Sequence, residues 1–168
     1  MTTGAGRPTY VLHPGLPVRW WLTHLPEANE ANAFRDELLS SGASLVAVDV
    51  IDHQVFTLLA ADLGPEHLDP GLANLIFDNV TVTLRSMLDL GILRLVDSRV
   101  VALPAFALAG YHDLPYGDAL SAALAELTGY PLLIVDRELL GRLRGVARQR
   151  PNLQVVWLPD HWGGQAAT

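Results

Sequence analysis

The chain has 168 residues, half of them hydrophobic, which suits one domain with a substantial core and excludes global disorder. Eighteen acids against eleven bases leave a formal charge of −7, which argues against nonspecific coating of nucleic acid or an anionic membrane. There is no cysteine, so disulfides, thiolate metal sites and thiol nucleophiles are excluded, and every base is an Arg.

In chain order, Tyr10-Val11-Leu12 reads as a short buried strand ending at His13-Pro14-Gly15. Acids beside Pro26 open a helix that runs to about Ser40, and Gly42 stops it. Leu45-Val46-Ala47-Val48 is a second buried strand, and Asp49 is placed to cap a helix carrying Val55, Leu58 and Leu59 to Gly64. A longer helix is expected over 72–90, closed by Gly91. A strand over 92–96 and a helix over 98–109 follow, and Asp113-Leu114-Pro115 starts another helix that ends at Gly129. Leu132-Leu133-Ile134-Val135 is a further buried strand, followed at once by Asp136 and a helix to about Ala147, with a last strand over 153–158. Short apolar strands alternating with helices imply an α/β fold of three α/β/α layers around a parallel sheet of four or five strands. Residues 1–8 and 159–168 read as tails, with one domain over 9–158. The longest apolar stretch, 100–110, is interrupted by Pro104 and too short to cross a bilayer, and no signal-peptide pattern opens the chain. A cytoplasmic protein without a membrane partner is expected.

Ligands of such sheets gather beyond the carboxyl ends of the strands, which selects His13, Asp97 and Asp136. Asp118 lies in the first turn of the helix preceding the Asp136 strand. Four segments in this order resemble the PIN-domain family, in particular the small VapC-type toxin ribonucleases. Leu114-Pro115-Tyr116-Gly117-Asp118-Ala119-Leu120 is similar to the family's Tyr-Asp-Ala helix. Leu132-Leu133-Ile134-Val135-Asp136-Arg137 is similar to its strand ending in Thr-x-Asp. His13-Pro14-Gly15 lies where the family has Asp-x-Ser, and Gln54 where it has a helix glutamate. The resemblance spans about residues 9–158 and implies a metal-dependent endoribonuclease ancestry, a homodimer, an antitoxin-like protein partner and an RNA ligand.

That chemistry needs clustered carboxylates, because Mg²⁺ and Mn²⁺ take hard oxygen ligands and activate a bound water. Here Asp118 and Asp136 remain, while His13 and Gln54 are degenerate positions, and Gly15 and Ile134 lack the usual hydroxyls. The expectation is a depleted site with no cofactor, in a non-catalytic or weakly active protein that binds RNA or a partner. The alternatives are an active Mg²⁺- or Mn²⁺-dependent ribonuclease recruiting His13 or Asp113 as a third ligand, and a regulatory dimerisation module without nucleic-acid contact. Asp52 and Asp49 fall on other helix faces than Gln54 and cannot replace it. Gln54 is expected to hydrogen-bond Asp118 or Asp136 and quiet their repulsion. Arg137, Arg142 and Arg144 form a candidate phosphate-binding face, set against a plain solvated helix face. Trp20 and Trp21 are candidates for base stacking or core, and Asp160-His161 has no accompanying nucleophile motif.

Overall fold

The computed structural model describes residues 8–64 and 69–162. Five strands, β1 (Thr9–Leu12), β2 (Ser44–Val48), β3 (Leu93–Val96), β4 (Leu132–Ile134) and β5 (Val155–Trp157), form one sheet in the order β3-β2-β1-β4-β5. Every pairing is parallel. The helices are α1 (Gly15–Trp21), α2 (Ala28–Ser41), α3 (Ile51–Leu63), α4 (Pro70–Asp89), α5 (Ser98–His112), α6 (Tyr116–Thr128), α7 (Arg137–Ala147) and α8 (Leu158–Trp162). The α/β, three-layer expectation holds, with five strands.

The two-residue period of the strands sorts their side chains between two cores. Tyr10, Leu12, Leu45, Ala47 and Leu133 face one core with Leu16 of α1, Phe34 of α2, Val55 of α3, Val80 of α4 and Leu158 of α8. Val11, Val46, Val48, Leu132 and Ile134 face the other with Val101 of α5, Leu120 of α6 and Leu143 of α7. Strands buried on both faces have no polar side to show, which is why they read as continuous apolar runs.

Caps mark several of the helix boundaries. Gly42 ends α2 at φ +72°, a left-handed conformation that costs a glycine little. Asp69 accepts hydrogen bonds from the Gly71 and Leu72 amides ahead of α4, with Pro70 in its first turn. Three assignments differ from expectation. Residues 15–21 form α1, a helix hidden in the sequence because Gly15 to Trp20 are all buried, so it shows no polar stripe. Asp49 does not cap α3; its carboxylate accepts from the Ser98 amide, and Val50 takes the cap position. Asp113 does not cap α6 but closes α5 at φ +51°, while Pro115 precedes α6. The chain also continues as α8 past the expected boundary at 158, and the terminal stretches 1–7 and 163–168 lie outside the described residues. Among the described residues no helix is long and apolar enough to cross a membrane.

Phe34 is fully buried and meets Tyr10 edge-on with ring centroids 6.2 Å apart. Phe34→Ala is therefore expected to lower unfolding free energy by about 3–5 kcal/mol in chemical denaturation.

Candidate functional site

The strand order reverses at β1 and β4: β2 and β3 lie to one side of β1, while β4 and β5 lie to the other. Such a switch point opens a crevice at the carboxyl ends of the two central strands. His13 leaves β1 there, and Asp136 lies just beyond β4. Asp118 reaches the same place from the first turn of α6, where the helix dipole favours a carboxylate. His13, Asp118 and Asp136 line one cleft of about 420 Å³, together with Arg19, Asp62, Glu138 and Arg142.

His13 is 4% exposed and both its ring nitrogens are engaged. The Gly15 amide donates to Nδ1 at 3.0 Å, so in the neutral ring the proton sits on Nε2. Nε2 then donates to Asp118 Oδ1 at 2.9 Å. No ring nitrogen is left to take a substrate proton or to ligate a metal. This arrangement also accounts for Gly15. A Cβ there would sit 3.0 Å from Nδ1 and 3.3 Å from Cε1, so any side chain at this position would press on the imidazole and require it to give by a few tenths of an ångström.

Arg19, on α1, is the other buried polar side chain lining the cleft, at 8% exposure. Its Nη1 donates to the Gly15 carbonyl at 2.9 Å and its Nε to the Pro26 carbonyl at 2.8 Å. Its Nη2 lies 3.9 Å from Asp136 Oδ2. Burial pulls the guanidinium below its ordinary value, and Asp136, Glu27 and Asp62 oppose that shift. Asp136 itself caps α7, its Oδ1 accepting from the Leu139 amide at 2.8 Å. Asp118 and Asp136 are thus already served by the protein, one by an imidazole donor and the other by a backbone amide and a nearby cation. Among the described residues, no three His, Asp or Glu side chains are grouped so as to hold a metal ion.

Gln54 lies on the far side of Asp118. Its Nε2 donates to the Gly117 carbonyl at 3.2 Å rather than to either carboxylate, which corrects the expected contact with Asp118 or Asp136. It lines a second, mostly apolar cleft of about 440 Å³ that shares Leu58 and Asp118 with the first. Its Oε1 is buried without a hydrogen-bond partner, an uncompensated acceptor.

The remaining candidates sit elsewhere or are already engaged. Arg142 lines the main cleft and pairs with Glu138 at 2.5 Å, one helical turn away. Arg137 reaches Glu27 at 3.4 Å and stacks over Trp157 at 5.6 Å. Arg144 is exposed in the last turn of α7 and, like Arg137, lines neither cleft. Asp113 is exposed and lines neither cleft. Trp20 is buried and donates its indole N–H to the Ala31 carbonyl, so it belongs to the core; Trp21 is half-buried and packs against the same core. His161 bonds the Tyr10 hydroxyl at 2.9 Å. Asp97 caps α5 and is held by the Arg99 guanidinium, outside both clefts.

Sequence reasoning passed over Arg19. A lone Arg between Val18 and Trp20-Trp21 in an apolar run was the available signal, since a base in such a run needs buried acceptors. Comparison with protein-family models and with curated proteins finds no match for this chain.

Gly15→Ala is expected to push the His13 ring aside and cost about 1–3 kcal/mol. Long-range proton–nitrogen NMR of the ring reads the same event as loss of the uniform Nε2–H tautomer. A second expectation concerns acid. The hydrogen bond from Arg99 brings the Asp97 carboxyl down from 3.8 to about 2, so its stabilising contribution is complete above the unfolded value and lost as pH falls toward 2. Urea titrations of the parent and Asp97→Asn between pH 5 and 2 should show that slope in the parent and a shallower one in the variant.

Proposed function

We propose that this chain is a PIN-like, VapC-type cytoplasmic protein whose nuclease centre is silent, and that it acts by binding a protein partner. The observation that carries this reading is the occupation of both retained acids by protein groups, His13 on Asp118 and Arg19 beside Asp136. Mg²⁺ favours anionic oxygen ligands and gives up its waters reluctantly. Here it would meet a histidine with no free lone pair and a guanidinium in the same cleft. The residues present do not fit that metal.

Charge bears on the choice between RNA and protein. The main cleft carries Asp62, Asp118, Asp136 and Glu138 against Arg19 and Arg142, an excess of acid facing any phosphate backbone. Two of the three candidate phosphate-binding arginines, Arg137 and Arg142, are engaged with glutamates. The resemblance implies an antitoxin-like protein as the partner class. A purely regulatory module is the reading without that partner.

The test combines binding and turnover. Low-millimolar Mg²⁺ or Mn²⁺ should leave the melting temperature unchanged, since a ligand of the native state must raise it. A mixed RNA pool should remain intact with either metal. A metal-induced rise lost in Asp118→Asn, with cleavage lost in Asp136→Asn, would establish the ribonuclease reading instead. A further expectation follows from the two protein donors. His13→Asp combined with Arg19→Gln gathers unpaired carboxylates, so without metal the variant should be less stable than the parent near neutral pH. Mn²⁺ should recover part of that loss, and a variant indifferent to Mn²⁺ would count against a metal-site ancestry.

A further inference from the structure

The second cleft, of about 440 Å³, opens between α3 and the start of α6. Val50, Leu58, Pro115 and Leu120 give it apolar walls, and the exposed Tyr116 adds an aromatic one. Among the described residues lining it, Asp118 is the one acid and none is an Arg. Two acceptors on these walls lack a donor. Asp118 Oδ1 takes the hydrogen bond from His13, while Oδ2 makes none among the described residues. Because His13 Nδ1 accepts from the Gly15 amide, the ring is neutral and leaves the charge of Asp118 uncancelled. The other acceptor is Gln54 Oε1, buried without a partner. Its amide lies against Gly117, the neighbour of Asp118, where a Cβ would come within 3.3 Å of Nε2.

We propose that this cleft binds a small organic cation, a protonated amine carried on an apolar, preferably aromatic, body. Each part of that ligand answers a feature of the walls. The volume lies in the range of small-molecule sites, which are mostly apolar with a few fixed polar groups. An apolar body displaces water from the Val50, Leu58 and Leu120 side, and an aromatic ring can lie against Tyr116. A neutral occupant would desolvate the Asp118 carboxylate, 20% exposed, and return no hydrogen bond for it. An anion would be repelled. An ammonium group gives Oδ2 a charge-assisted hydrogen bond and has further N–H donors for the Gln54 carbonyl. Mg²⁺ is the wrong cation here, since one carboxylate and one amide oxygen leave most of its shell to water. The proposal stands apart from the partner-binding reading, because it concerns a metal-free small molecule and neither RNA cleavage nor a Mg²⁺ response bears on it.

The probe is tryptammonium, titrated into the full chain in EDTA and followed by amide proton–nitrogen NMR. It should bind with a dissociation constant of about 0.1–1 mM, ordinary for a ligand of that size. Shifts should cluster over residues 50–58 and 115–120 and spare Asp62 and Arg142 of the first cleft. Indole-3-ethanol, indole-3-propionate and ethylammonium remove the charge, reverse it and remove the apolar body, and each should bind about tenfold more weakly or worse. Asp118→Asn keeps an oxygen for the His13 donor while removing the charge, and should weaken tryptammonium about tenfold or more. Gln54→Leu should weaken it about threefold to tenfold, although removing an orphaned acceptor leaves the free protein no less stable. Asp62→Asn removes an equal charge from the first cleft and should leave the affinity unchanged. No saturation by about 5 mM, far above the range such a ligand should need, would overturn the proposal. So would equal binding of the neutral analogue, indifference to both Asp118→Asn and Gln54→Leu, or shifts centred on the first cleft. A basic peptide that occupies the cleft where the free amine does not would assign it to a protein partner instead.

Discussion

His13 closes the carboxyl edge of the sheet because its imidazole has two different things to bond. One nitrogen folds back onto the Gly15 amide at the start of α1, and the other reaches the first turn of α6. A single buried ring thereby joins the end of the central strand to helices on both faces of the sheet. The bond to Asp118 spans 105 residues of sequence, so it adds a long-range tie at a point where the strands themselves have ended. Its geometry propagates outward. A side chain at 15 would crowd the ring, the Gly15 carbonyl accepts from Arg19 Nη1, and Arg19 Nη2 lies 3.9 Å from Asp136. Histidine, glycine and arginine at these three positions form one packed unit.

Arg19 determines the electrostatics of that unit. Withdrawing a guanidinium from water carries a penalty of several kcal/mol, and hydrogen bonds to the Gly15 and Pro26 carbonyls with a carboxylate nearby offset it. A fixed cation next to Asp136 lowers the local negative potential that would otherwise draw a divalent ion. It does so with no dependence on the surrounding metal concentration. The cleft then presents Asp118 as an acceptor already hydrogen-bonded by a neutral imidazole, and Asp136 as one with a buried cation 3.9 Å away.

The strands and most helices were legible because their signals are local. Leu45 to Val48 and Leu132 to Ile134 read as strands from their unbroken apolar character, and Gly42, Gly91 and Gly129 marked helix ends that the structure keeps, each at positive φ. Helix α1 was not legible, because complete burial erases the polar stripe that identifies a helix. Of the residues lining the cleft, the strand-end rule pointed to His13 and Asp136 but also to Asp97, which lines neither cleft, while Asp118 came from its place in the first turn of the preceding helix. The role of Gln54 and the importance of Arg19 were missed for the same reason. Their partners are the backbone carbonyls of Gly117, Gly15 and Pro26, and no side-chain motif announces a carbonyl.

The residue types at positions 13, 54, 118 and 136 have a folding explanation. Asp136 caps α7, and removing such a cap costs about 0.5–2 kcal/mol whatever the cleft does. Asp118 sits at the favourable end of the α6 dipole and satisfies the buried His13 Nε2, while Ala119, Ala122 and Ala123 let α6 lie close to the sheet. Both acids contribute to stability, and both would be kept by a chain that had no use for a metal. Positions 13 and 54 have no such secondary employment for a carboxylate. At 13 an acid would face Asp118 in a nearly dry pocket, and at 54 it would face the Gly117 carbonyl, where the amide of Gln54 donates instead. An acid at either place is favourable only with a cation to bind. Folding alone therefore gives a reason for an aspartate at 118 and at 136.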